Sequence, residues 1–156
     1  MDFRYLYTSF DGRIGRKHFW LSFALIFLAA IIVLTVLGFL AQSQPGVVGV
    51  LGLLINLILL YPMAALGVKR LHDRGKSGRL MWVILVPGIL SQLAQTLGLS
   101  VSEQEVGGQL IQVPNTLGMG LALVAFIVAL WALVELGFRK GTSGDNAYGP
   151  DPLATP

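Results

Sequence analysis

The chain has 156 residues, of which 54% are apolar and only 12% charged, with a net charge of +3 at pH 7 and no cysteine. A mean hydropathy of +0.73 lies far above that of a soluble domain, and so apolar a composition excludes disorder. The missing cysteines remove disulfides, thiolate-bound zinc, iron–sulfur clusters and a thiol nucleophile, which leaves a small helical membrane protein.

The aromatic residues Phe3, Tyr5, Tyr7 and Phe10 come first, nearly alternating, and suggest a short segment lying in the membrane interface. Four long apolar stretches follow: Phe19–Ala41, Val47–Val68, Leu80–Leu99 and Thr116–Phe138. Each is close to the roughly 20 residues that cross a bilayer core as a helix. The first begins only after Lys17 and is too long for a secretory signal core, so it reads as an uncleaved span. Strands of an outer-membrane barrel would alternate apolar and polar residues, and these runs do not. The expected fold is all-α: a four-transmembrane-helix bundle forming one membrane domain over residues 1–152, with a short tail at 153–156.

All 11 Lys and Arg lie before the first span, between the second and third, or after the fourth. The loops Gln42–Gly46 and Ser100–Asn115 hold none, and the longer carries Glu103 and Glu105. By the positive-inside rule both termini and the central loop are cytoplasmic, as expected of a multi-pass membrane protein. Trp20 and Trp82 then fall at the cytoplasmic boundary. Topology accounts for every basic residue, so no nucleic-acid partner is expected.

Within the fourth span Gly118, Ala122, Ala125, Ala129 and Ala132 recur at spacings of 4, 3, 4 and 3. They form one stripe that suits either close packing inside the bundle or a homo-oligomer seam. Asn56 and Gln92 each lie about 18 Å from the cytoplasmic boundary on antiparallel spans, so an interhelical hydrogen bond between them is expected. Ser91, Gln92 and Gln95 read as helix–helix glue. Pro62 and Pro87 each remove a backbone donor, and a kink or widened turn is expected near both.

Three cytoplasmic segments carry the remaining signal. Gly12-Arg13-x-x-Arg16-x-x-x-Trp20 leads into the first span, Arg70-x-His72-Asp73-x-Gly75-x-Ser77-Gly78 forms the central loop, and Gly144-x-Asn146-x-Tyr148-Gly149-x-Asp151-Pro152 ends the chain. Together these motifs resemble the domain-of-unknown-function 805 family of small bacterial inner-membrane proteins, over Phe10 to Pro152. That family often continues the central loop with an aromatic residue, whereas Arg79 stands here and Trp82 follows. The resemblance implies the four-span topology and the inner-membrane location, and it implies no activity.

Familiar chemistries do not fit these residues. Gly75-Lys76-Ser77 resembles the end of a P-loop, but Arg70 stands where that motif needs Gly, and no strand precedes it. No Gly-x-Ser-x-Gly elbow occurs. His18 and His72 with scattered carboxylates make no metal-ligand spacing, so neither metal nor cofactor is expected. His72 and Asp73 are helix neighbours about 100° apart and cannot readily orient one another. No catalytic residue is assigned.

A polar layer under the membrane fits better. The second span is expected to continue through Lys69–Asp73 and stop at Gly75, with Lys69 and Asp73 as i,i+4 partners and Arg70 pointing elsewhere. Glu135 and Arg139 form a second such pair. Arg13, Arg16, Arg70 and His72, with Asp73, Glu135 and Asn146, make a candidate ligand site under a Gly-rich tail. It would take an anionic lipid headgroup or a partner protein, or serve as an internal salt-bridge network. The leading expectation is a non-enzymatic membrane protein. The alternatives are a small transporter or channel subunit and a membrane-embedded enzyme acting on a lipid.

Overall fold

The computed structural model describes residues 2–41 and 45–154. Residues 1, 42–44 and 155–156 therefore lie outside the described residues. The order of elements is α1 (Phe3–Thr8), α2 (Arg16–Ala41), α3 (Pro45–Asp73), α4 (Leu80–Thr96), β1 (Val101–Val106), β2 (Gln109–Pro114) and α5 (Thr116–Ala132). A π-helical turn, Leu133–Phe138, continues α5.

Three stretches are long and apolar enough to cross a membrane: Arg16–Leu40, Leu51–Asp73 and Thr116–Phe138. Helix α4, at 17 residues, is a shorter apolar helix. The chain is thus mostly helical, and the all-α expectation needs one correction. Residues 101–114 are not a loop but an antiparallel hairpin, with Val101 opposite Pro114 and Val106 opposite Gln109. Gly107 and Gly108 connect the strands with φ of 62° and 80°. Two positive φ values give the hairpin turn whose twist matches that of its strands. Helices α3 and α4 run through Pro62 and Pro87, and a widened turn lies at Leu133–Phe138.

The chain divides into two compact units, Met1–Met81 with Leu133–Pro156, and Trp82–Ala132. In the first, α2 packs along α3, α1 lies against α3, and the π-helical turn touches both α2 and α3. Its largest fully buried side chains are Arg70, Lys69, Leu66, Leu71, Glu135 and Ser22. A soluble core would not place three charged groups in that list. Conversely, Phe27, Leu28, Ile32, Leu34 and Phe39 of α2 are exposed, and only 6% of its most apolar window is buried. So much exposed apolar surface is stable against lipid and not against water.

In the second unit Asn115 caps α5. Its Oδ1 accepts from the Gly118 amide at 3.0 Å, and its Nδ2 donates to the Leu99 and Val101 carbonyls. Gly118 sits where a Cβ would overlap the Ser100 carbonyl. Of the other stripe residues, Ala132 is buried, Ala125 half-buried, and Ala122 and Ala129 exposed. Gln92 lines a cavity of about 270 Å³ with Ser91, Gln95 and Gly118. Asn56 belongs to the first unit, where it lines a different cavity with Phe23, Phe27 and Met63.

Candidate functional site

The last turn of α3 organises the first unit's polar end. The helix closes at Gly75 (φ 67°): the Gly75 amide donates to the His72 carbonyl at 2.9 Å, and the Lys76 amide to the Leu71 carbonyl at 2.9 Å. This paired pattern needs a left-handed residue after the helix end, which glycine adopts freely. Gly78, three residues on, passes so close to α3 that a Cβ would lie 2.7 Å from Val68. The two glycines of the central motif therefore set the path of the loop.

Asp73 is the hub of one centre. Its Oδ1 accepts from Arg13 Nη2 at 3.1 Å, and its Oδ2 pairs with Arg70 Nη1. The expected Lys69–Asp73 pair is corrected here, because Asp73 is reached by Arg70 at i,i+3. Arg70 is fully buried and also donates to the Leu136 carbonyl at 2.7 Å and to the Arg139 carbonyl. Lys69 instead turns to α1, donating to the carbonyls of Tyr5, Leu6 and Ser9. Its ammonium lies 4.6 Å from the Tyr5 ring centroid. Burial pushes the Tyr5 phenol above its ordinary pKa.

Arg13 ties the C-terminal segment to this centre. Beyond Asp73, its guanidinium donates to the carbonyls of Thr142 at 2.7 Å, Gly144 at 2.7 Å and Gly149 at 3.2 Å. Arg's planar fork can satisfy several acceptors at once, which a Lys ammonium cannot do in one plane. The Thr142 amide donates back to the Asp73 carbonyl at 2.8 Å. A Cβ at Gly141 would collide with the Asp73 carboxylate. Asn146 Nδ2 donates to the His72 carbonyl at 3.0 Å and to the Thr142 hydroxyl at 2.9 Å. His72 stacks on Tyr148 with centroids 3.9 Å apart, and its Nδ1 faces the Gly12 carbonyl at 3.2 Å. Asp151 closes the turn by accepting from the Leu153 and Gly144 amides. These amides hold its carboxyl below the usual range, Leu153 first and Gly144 second.

Glu135 is the hub of a second centre. It is buried within the π-helical turn and pairs with Arg139 as expected, at 3.1 Å, and also with Arg74 at 3.2 Å and Lys76 at 2.7 Å. The widened turn brings Glu135, Leu136 and Gly137 inward together. At Gly137, Trp20 Nε1 donates to the carbonyl at 3.1 Å, and a Cβ there would lie 2.6 Å from the indole.

Of the seven candidate site residues, Arg13, Arg70 and Asp73 meet directly, and His72 and Asn146 adjoin them through Gly12, Thr142 and Tyr148. Glu135 heads the separate centre. Arg16 is exposed and makes one long hydrogen bond, 3.4 Å, to the Phe138 carbonyl. Sequence reasoning gave Lys69 the wrong partner and assigned no role to Arg74, Lys76, Thr142 and Tyr148. The available signal was the charge ratio: the central loop crowds five cations around one carboxylate, so some cations must find carbonyls or an acid elsewhere in the chain.

Among the described residues no group of three or more His, Cys, Asp or Glu is placed to hold a metal ion. Residues 7–150 match the family model described as a protein of unknown function (DUF805). Uncharacterized protein YiiR of Escherichia coli K12 is 31% identical over 144 residues, which cover 92% of this chain and 85% of that protein. YiiR of strain O157:H7 matches to the same extent. No solved structure matches.

Proposed function

The chain belongs to the DUF805 family of proteins of unknown function, and from the two ion centres we propose that it is a non-enzymatic, four-span protein of the bacterial inner membrane. In this reading a cytoplasmic clasp fastens the ends of the spans and both terminal segments together. The observation that carries it is that the residues of all three motifs spend their polar groups on one another. Asp73 takes two arginines, Glu135 takes three cations, and the tail carbonyls take Arg13. His72 and Asp73 engage different partners and Glu135 a third set, which leaves the enzyme alternative without a convergent acid–base pair among the described residues.

The clasp also supports the span count. The chain leaves it at Leu80 and is back in it by Glu135, so whatever lies between crosses the membrane an even number of times. Thr116–Phe138 is long enough for one crossing, and α4, about 25 Å long at 1.5 Å per residue, supplies the other. The same reasoning pairs α2 with α3. The hairpin then faces outward, and its Glu103 and Glu105 obey the positive-inside rule.

A second reading, a transporter or channel subunit, draws support from the second unit alone. There the buried Ser91 hydroxyl has no partner among the described residues and lines the 270 Å³ cavity with Gln92 and Gln95. It lacks a charged group, which transport pathways for ions and protons usually carry.

The test exploits the cysteine-free sequence. Single cysteines at Gln104, Ser77 and Ala147 are probed with a membrane-impermeant maleimide on intact cells. Labelling of Gln104→Cys alone, and of all three after permeabilisation, is expected. Labelling of Ser77→Cys in intact cells would overturn the topology.

A further inference from the structure

The clasp has more positive charge than its acids neutralise. Five cations, Arg13, Arg70, Arg74, Lys76 and Arg139, share two carboxylates. Two more, Arg16 and Lys140, have no ion-pair partner among the described residues, and both line a cavity of about 240 Å³ beside the clasp. Gly15, Thr142 and Ser143 complete the wall, and the buried Arg70 also lines it. Two carboxylates border the space as well. Asp73 is held by two arginines, and Asp151 is occupied by two backbone amides. Three cations against two carboxylates leave the lining a formal excess of one positive charge. At about 30 Å³ per water, the space holds a phosphate with several waters.

What lies beside the cavity narrows the ligand. Arg16 and Leu153 also line a second, largely apolar cavity with Lys17, Trp20, Gly137 and Phe138. The two spaces share Arg16 and Leu153 and so lie side by side. Trp20 lies about 6 Å along the helix from Arg16, toward the membrane interior. An anion at Arg16 and Lys140 would thus sit beside an aromatic, largely apolar cavity, the pairing of groups that a phospholipid carries. A free inorganic anion would have no use for the apolar cavity, and a neutral lipid none for the cations.

We infer that the Arg16–Lys140 cavity and the Trp20–Phe138 groove form a binding site for an anionic glycerophospholipid, phosphate in the cavity and acyl chain in the groove. The site differs from a pocket built on Arg13, Arg70 and His72, whose polar groups are already taken. It rests on the clasp lying at the membrane surface. The lipid stabilises the clasp by neutralising its excess charge and covering Gly137 where Trp20 docks.

The experiment measures thermal unfolding of the full chain in detergent with added dioleoylphosphatidylglycerol, dioleoylphosphatidylcholine or inorganic phosphate. Phosphatidylglycerol is expected to raise Tm, and the other two are not. In the double variant R16Q/K140Q, the phosphatidylglycerol concentration for half the effect should rise about 25-fold, since each of the two basic residues contributes about a fivefold factor. Arg79→Gln, outside both cavities, should shift that concentration far less than the double variant does. An equal shift from phosphatidylcholine, an equal shift from phosphate alone, or an unchanged response in R16Q/K140Q would overturn the inference. Native mass spectrometry of wild-type protein gives a readout that needs no variant to fold: preferential retention of phosphatidylglycerol over phosphatidylcholine is expected, and equal retention would overturn it. If the cysteine labelling fails while this selectivity holds, the topology falls and the lipid site stands.

Discussion

Arg13 and Asp73 lie sixty residues apart in the chain, yet Nη2 and Oδ1 meet at 3.1 Å with both side chains almost fully buried. The contact joins the segment before the first span to the end of the second. Asp73 is simultaneously the partner of Arg70, so its loss strands two buried guanidinium groups. Removing one member of a buried ion pair typically costs about 3–5 kcal/mol, because the charge left behind is unpaired. Asp73→Ala is therefore expected to be among the most destabilising single changes in the chain. Thermal unfolding in detergent checks this, and a Tm equal to wild type would show that the centre carries no stability.

Gly141 and Gly144 separate two roles for glycine in the tail. At Gly141 an added Cβ collides with the Asp73 carboxylate, so Gly141→Ala must push the tail off the clasp at an overpacking cost of about 1–3 kcal/mol. Gly144 has φ of 71° with open space around its Cβ position, so Gly144→Ala carries only the left-handed backbone cost of about 1–2 kcal/mol. Limited proteolysis should cut the tail of Gly141→Ala faster than that of wild type while leaving Gly144→Ala closer to it. The reverse order would mean that the tail does not approach Asp73 as described.

The parts of this fold legible in the sequence are those with a local physical cause. Long uncharged runs gave helices, Gly75 stopped α3, and the i,i+4 spacing paired Glu135 with Arg139. The hairpin was missed because its strands are short and polar, although Gly107-Gly108 between β-prone residues carried the signal. Which acid Arg70 meets was not legible. Lys69 and Arg70 both lie within a turn of Asp73, and the choice depends on α1, whose carbonyls draw Lys69 away. The π-helical turn at Leu133–Phe138 has no comparable sequence mark, since it follows from burying Glu135 and docking Gly137 on Trp20 in one turn.

Lys69 acts as a remote C-cap for α1. A six-residue helix is far too short to persist alone, and its last carbonyls lack partners within the helix. Those of Tyr5 and Leu6, with Ser9 beyond them, converge on the Lys69 ammonium. Lys69→Met keeps the apolar stem and removes the donor, at a cost of about 1–3 kcal/mol. Hydrogen exchange should show faster exchange across residues 5–8 with little change in mid-α3. Equal protection of α1 in the variant would show that α1 is held by other means.

Asp151 gives the tail a defined pH response. Amide hydrogen bonds depress its pKa from the ordinary 3.8, so the folded turn is favoured with the carboxylate ionised. That contribution is fully present above the unfolded value and is lost as pH falls through the lower folded value. Between pH 5 and 8 the exchange protection of the Gly144 amide, corrected for intrinsic rates, is therefore expected to be constant. It should decline only below the ordinary carboxyl range. Loss of protection between pH 6 and 7 would point to a different group controlling the tail.

Ser22 is the counter-case to the clasp residues. It is fully buried on α2, and while its carbonyl accepts from the Tyr7 hydroxyl at 3.4 Å, its own hydroxyl has no partner among the described residues. A buried polar group without a hydrogen bond costs stability, whereas every buried charge in the two ion centres is compensated. Ser22→Ala removes that cost while leaving the Tyr7 contact to the backbone intact. It should leave Tm unchanged or raise stability by about 1 kcal/mol, in contrast to Asp73→Ala. Ser22→Val adds volume at a site with no measurable exposure and should destabilise by overpacking. A marked loss in Ser22→Ala would mean that the hydroxyl is engaged in the membrane, and burial alone would then no longer separate the residues that hold the clasp from those that merely lie inside it.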